Sequence, residues 1–137
     1  MNDEELISMA VEARARAYAP YSGFPVGAAL LTRSGQVFTG CNVENAMFGL
    51  TVCAERVAVF KAVSAGERDF EALAVATTPG ASPCGSCRQV LREFGRDLRI
   101  LVADTEGNSR EFTLQQLLPN AFPDWSLDGR RALDAGE

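Results

Sequence analysis

Cys53 and Glu55, followed about thirty residues later by Cys84 and Cys87 in the run Pro83-Cys-Gly-Ser-Cys87, are the residues of this chain best suited to chemistry. Three thiolates hold a zinc ion on three corners of a tetrahedron and leave the fourth to water or substrate. Structural zinc sites are instead closed by four protein ligands. A carboxylate beside the first sulfur supplies the proton carrier, so the set points to zinc-assisted hydrolysis. The chain contains no histidine, the commonest zinc ligand and a frequent general base, so metal chemistry here rests on sulfur and carboxylate.

Each ligand falls at the start of a helix, where the positive end of the dipole stabilises a thiolate. Cys84 and Cys87 are i and i+3 on one turn, with Ser82 as the expected cap and Pro83 fixing the entry. Cys53 and Glu55 are two residues apart, about 200° of rotation in a regular helix. Cys53 must therefore stand at a non-regular first position for both to serve one site. Three thiolates around Zn²⁺ leave one net negative charge, which Arg56, three residues from Cys53, is expected to offset by donating to sulfur. Other readings compete. Cys84-Gly-Ser-Cys87 alone also suits a redox pair, and Cys41 would convert the set to a closed structural site. A buried free thiol accounts better for Cys41 in its strand. Glu55 interrupts an apolar helix, where an unpaired carboxylate is costly, and this favours a function over a solvated first-turn acid.

The elements that must position these residues follow from periodicity. Leu6, Met9, Ala10, Ala13 and Ala17 share one face of a helix over 3–18, broken by the Pro- and Gly-rich run that follows Tyr18. Val26 to Thr32 and Gln36 to Asn42 read as a hairpin about Ser34-Gly35, and 44–51 as irregular. Residues 53–65 form a buried helix ended by Gly66. Leu73–Thr77 and Leu98–Ala103 are apolar runs typical of central strands covered on both faces. Between them 84–94 is helical, with Val90, Leu91 and Phe94 inward. Phe112 falls in a short strand, and 114–118 in a brief helix stopped by Pro119. The order predicts an α/β fold: a mixed, roughly five-stranded sheet with helices on both faces.

With 137 residues, 47% apolar and 23% charged, the sequence reads as one domain over 1–127 with a polar tail over 128–137. The net charge is −5, with twelve arginines scattered among acids and a single lysine, Lys61. A polynucleotide partner calls for a basic stripe, so none is expected. No run approaches a membrane span, and the acidic N-terminus lacks the form of a secretory signal. A cytoplasmic setting, reducing enough to keep thiolates, is the expectation.

The residues together resemble the cytidine deaminases in their short-chain form with three cysteine ligands. The resemblance rests on Ala19-Pro-Tyr-Ser22, Phe24, Val26-Gly-Ala-Ala29, Gly40-Cys-Asn-Val-Glu-Asn45, Cys53-Ala-Glu-Arg56, Pro83-Cys-Gly-Ser-Cys-Arg-Gln89 and Leu117-Leu-Pro-Asn-Ala-Phe122, and covers nearly the whole chain. It implies a three-layer α/β/α sandwich, one Zn²⁺ per subunit and a homotetramer with shared sites. It also implies deamination of cytidine and deoxycytidine with Glu55 moving the proton. Phe24 and Ala54 would line the pyrimidine site, Asn42 and Glu44 would hold the ribose, and Phe122 would reach the base from an adjacent subunit. A nucleoside antibiotic is the alternative substrate. Phe48 departs from the family, where many members carry Tyr, and forgoes a hydroxyl hydrogen bond.

Overall fold

Strand β1 (Gly27–Thr32) is buried along its whole length, and β3 (Phe70–Ala76) at all but Glu71, as continuous apolar runs require. They lie at the middle of a five-stranded sheet in the order β2-β1-β3-β4-β5, completed by β2 (Val37–Cys41), β4 (Arg99–Ala103) and β5 (Ser109–Thr113). β1 is antiparallel to β2 and β3, β3 and β4 are parallel, and β4 and β5 are antiparallel. The sheet is mixed, as expected. The computed structural model describes residues 1–122; the tail and its boundary after residue 127 lie outside the described residues.

Period-two alternation sorts the strand residues into two cores. Ala28, Leu30, Leu73, Val75, Ile100 and Val102 meet helices α2 (Ala54–Ser64), α3 (Gly85–Arg92) and α4 (Leu114–Leu117). Ala29, Leu31, Ala72, Ala74, Ala76 and Leu101 meet helix α1 (Asp3–Arg14) through Leu6 and Ala10. The result is the expected three-layer α/β/α sandwich. Among the described residues, no helix is long and apolar enough to cross a membrane.

Helix α1 stops at Arg14, four residues before the expected end. Its start is capped by Asn2, whose side chain accepts from Glu5 N. After it the chain tightens into short turns, and Tyr18 is taken up by the segment beyond β2. Tyr18 N donates to Asn42 O, and Glu44 N to Tyr18 O, both at 2.9 Å. Helix α2 is less buried than its apolar sequence suggests, since Phe60 is 53% exposed. It approaches β2 at Gly40, where a Cβ would lie 2.4 Å from Ala54 O and 2.7 Å from Ala58 N. Only a residue without a side chain admits the first turn of α2 there.

Candidate metal centre and active site

The pairing Gly27 with Cys41 and with Ala76 brings the start of β1 and the ends of β2 and β3 to one edge of the sheet. Helices α2 and α3 both begin at this edge, each opened by a cysteine. Cys53 is the N-cap of α2, with ψ 154°, and Cys84 the N-cap of α3, with ψ 168°. Neither side chain caps its helix, so each sulfur is left for another partner. The extended backbone at Cys53 settles the rotation problem: Cys53 stands outside the helix while Glu55 lies within its first turn. Ser82 does not cap α3, contrary to expectation. Its hydroxyl instead accepts from Arg88 Nη2 at 3.0 Å, because Cys84 occupies the cap position.

The Sγ atoms of Cys53, Cys84 and Cys87 lie within 4.8 Å of one another, those of Cys84 and Cys87 3.5 Å apart. Tetrahedral ligation at a Zn–S distance of about 2.3 Å separates sulfurs by about 3.8 Å, so the donor set fits zinc in both type and spacing. Arg56 Nη2 donates to Cys53 Sγ at 3.2 Å, as its position in the sequence implied. Hydrogen bonding from Cys87, and after it the Arg56 guanidinium, holds Cys53 well below the ordinary thiol range, at about 5, against the opposing effect of burial. The same bond and burial push Cys87 up. Three adjacent thiols give up all their protons only to a cation that neutralises them. Cys41 is not in the cluster; its half-buried thiol donates to Arg16 O at 3.4 Å. The set is thus three sulfurs and not four.

Glu55 is 5% exposed and lines a cleft of about 280 Å³ together with Cys53, Ala54 and Cys84. Burial lifts its carboxyl to about 7, its own backbone N–H pulling the other way and the Cys53 charge adding to the rise. A carboxyl poised near neutrality can take a proton and return it. Phe24, Val26, Asn42 and Glu44 line the same cleft. Asn42 Oδ1 accepts from Val26 N at 2.9 Å, and its Nδ2 donates to Phe24 O at 3.0 Å. Glu44 Oε1 accepts from Tyr21 N at 2.9 Å and Ser22 N at 3.0 Å, and the Ser22 hydroxyl donates to its other oxygen. These bonds, led by that of the Ser22 hydroxyl, hold the Glu44 carboxyl below its usual range.

The structure thus gathers Phe24, Asn42, Glu44, Cys53, Ala54, Glu55 and Cys84 around one cleft, with Cys87 buried behind it. Phe122 does not line the cleft of its own chain and is 76% exposed. Phe48 is 74% exposed and packs edge-on against Tyr21 at 5.9 Å. Reasoning from sequence missed Ser22, Thr51, Thr77 and Ser82 in the cleft wall. The signal for Thr77 was its place just past the end of β3, since ligands of open α/β sheets gather at carboxyl ends of strands. Thr77 Oγ1 accepts from Gly80 N and Ala81 N and so starts the turn leading to Cys84.

Residues 1–103 match the family model described as the cytidine and deoxycytidylate deaminase zinc-binding region. The chain belongs to the cytidine and deoxycytidylate deaminase family. It is 51% identical to a cytidine deaminase of Sporosarcina psychrophila over 89% of this chain and 92% of that protein. The crystal structure of a cytidine deaminase from Burkholderia pseudomallei superposes with a TM-score of 0.85 at 49% identity, covering 89% of this chain and all of that one. A blasticidin-S deaminase of Bacillus cereus is 30% identical over 85% of this chain and 89% of its own length. Within this deaminase family the matched region is zinc-binding, and the three-cysteine cluster is positioned to hold the ion; zinc is its metal.

Proposed function

We propose that this deaminase hydrolyses the C4 amino group of cytidine and deoxycytidine, giving uridine or deoxyuridine and ammonia in pyrimidine salvage. The observation that carries the reading is the buried Glu55 carboxyl in the same cleft as Cys53 and Cys84. Cys53, Cys84 and Cys87 hold the zinc, which when bound lowers the pKa of water toward about 7 and so makes it a nucleophile at neutral pH. Glu55 takes a proton from the attacking water and delivers it to ring N3, which makes C4 electrophilic. It then takes the second proton of that water, now on the C4 hydroxyl, and passes it to the amino group. Ammonia leaves as the C4–N bond breaks, so that Glu55 acts in turn as base and acid. Arg56 offsets the excess negative charge of the sulfurs through its bond to Cys53.

Phe24, Val26 and Ala54 offer an apolar slot for the pyrimidine. A carboxylate has about four acceptor sites, and three of those on Glu44 are taken by Tyr21 and Ser22. One remains for a ribose hydroxyl, and Asn42 likewise keeps one donor and one acceptor position beyond its bonds to Phe24 and Val26. The negative charge of Glu44 opposes a 5′-phosphate, which favours a nucleoside over a nucleotide.

The working form is a homotetramer in a cytoplasmic, reducing setting, with Phe122 of each chain completing a neighbour's site. Its support is the exposure of Phe122, Phe48, Leu50 and Met47, each at least 64%, which a lone subunit would leave in water. Mixing inactive Glu55→Gln and impaired Phe122→Ala chains should restore turnover, because some clefts then receive both groups intact. No recovery would count against shared sites. Substrate choice is tested by following ultraviolet loss with cytidine, deoxycytidine, cytosine and cytidine monophosphate before and after zinc removal. The 30% identity to the blasticidin-S deaminase adds that antibiotic to the panel. Turnover of none of the cytosine compounds would overturn the reading.

A further inference from the structure

Arg88 follows Cys87 on α3, and its guanidinium ties together three segments. Nε donates to Pro83 O at 2.7 Å, Nη2 to Ser82 Oγ at 3.0 Å, and Nη1 to Leu117 O at 2.8 Å. Ser82 and Pro83 are the two residues leading into Cys84, and Leu117 ends α4. Among the described residues, Arg88 forms no salt bridge. Its cation faces two carbonyls and a hydroxyl, so its planar fork serves geometry and not charge pairing.

The two outer ligands of the cluster are held very differently. Cys53 is flanked by Val52, paired with Val43 on both sides, and by α2 seated on Gly40. The approach to Cys84 over 80–83 has no regular structure. Thr77 anchors it only as far as Ala81. Beyond that point, among the described residues, the hydrogen bonds reaching Ser82 and Pro83 come from Arg88. Cys84 itself is exposed and opens α3 without a side-chain cap. Next to Arg88, Gln89 Nε2 donates to Phe122 O. The same turn of α3 therefore also holds the segment that follows α4.

We propose that Arg88 is a positioning residue for the metal centre. It locks Ser82 and Pro83 against the end of α4 and so fixes where Cys84 Sγ stands relative to Cys53 and Cys87. Without the fork, among the described residues, no other side-chain hydrogen bond holds Ser82 and Pro83, and the third sulfur and the Ser82 wall of the cleft lose their register with Glu55. The proposal rests on the reading of Cys84 as a zinc ligand.

The test compares zinc-loaded wild type with Arg88→Gln, Arg88→Lys, Cys84→Ala and Asn2→Ala. Asn2→Ala removes the side-chain cap of α1 and weakens the fold on the other face of the sheet without touching the fork or α4. The readouts are the rate of zinc release to a chelating dye, the melting temperature, and kcat and KM for cytidine. Partners that orient metal ligands are worth about 10–100-fold in affinity, so Arg88→Gln should release zinc about tenfold faster or more and raise KM. Arg88→Lys keeps the charge but loses the fork, and should fall between Arg88→Gln and wild type. Asn2→Ala should lower the melting temperature with zinc release unchanged. Wild-type zinc release from Arg88→Gln, or release in all variants that merely follows the melting temperature, would overturn the proposal. If Arg88→Gln does not fold, Arg88→Lys alone decides: faster zinc release supports the proposal, and a wild-type rate overturns it. Cys84→Ala separates the two readings, because wild-type zinc retention in that variant would remove the ligand assignment itself.

Discussion

The face of the sheet that receives α1 carries four alanines, Ala29, Ala72, Ala74 and Ala76, beside Leu31 and Leu101, whereas the opposite face carries Leu30, Leu73, Val75, Ile100 and Val102 with one alanine, Ala28. Small residues let α1 lie close along the sheet, and Gly27 takes the closest approach: a Cβ there would meet Ala10 O at 2.0 Å and Arg14 N at 2.5 Å. On the other face, larger side chains separate the sheet from α2 and α3, and at Gly40 the sheet backbone meets the start of α2 directly. Both glycines answer the same steric demand. Only Gly40 lies under a turn that carries a cysteine of the metal cluster and the carboxyl proposed to move the proton. One face supplies stability alone, and the other supplies stability and the geometry of the site.

That contrast can be broken in graded steps. The largest effect should come from Cys87→Ala: a buried sulfur is lost, and zinc content and cytidine turnover should both fall to background. Next are the two glycines. Gly27→Ala and Gly40→Ala each overpack a helix, at a cost of about 1–3 kcal/mol. Gly40→Ala should also loosen zinc and lower kcat, while Gly27→Ala should lower only the melting temperature. Equal loss of zinc from both would erase the distinction between the faces. Leu6→Ala on α1 removes a fully buried side chain and should cost about 2–5 kcal/mol, with kcat/KM unchanged well below the melting temperature. A changed KM in that variant would show that α1 reaches the site.

The smallest effect concerns Glu44. Its folded pKa lies below the ordinary 4.5, so its contribution is fully present above that value and is lost as the pH falls through the lower, folded value. The stability gap between wild type and Glu44→Gln should therefore be constant near neutrality and close under more acidic conditions. Melting curves against pH measure this, and a gap that widens on acidification would contradict the hydrogen-bond pattern around Ser22.

The metal centre was legible in the sequence because its evidence is local. The spacing of Cys84 and Cys87, and the cysteines' places at helix starts, depend only on residues near in sequence. The hairpin of β1 and β2 was legible from the turn at Ser34-Gly35, and the interior places of β3 and β4 from their apolar runs. The end of α1 was not, because what stops that helix is the pairing of Tyr18 with Asn42 and Glu44, more than twenty residues away. Ser82 was misplaced because Cys84, two residues on, takes the cap position and leaves the Ser82 hydroxyl to Arg88. Ser22 and Thr77 stayed hidden because a polar loop residue becomes a cleft wall only once distant strands are aligned. Asn42 and Glu44 were found only through resemblance, and the structure adds that both also fasten the segment from Tyr21 to Val26.

Whether Glu55 is the proton carrier of a zinc hydrolase is tested most directly by one variant. Glu55→Gln preserves the shape of the first turn of α2 and removes the titrating group. Zinc content measured beside cytidine turnover should show about one zinc per chain with kcat lowered by about 10²–10⁴-fold, the usual worth of general acid–base catalysis. Near-normal turnover by the zinc-loaded variant would contradict the assignment.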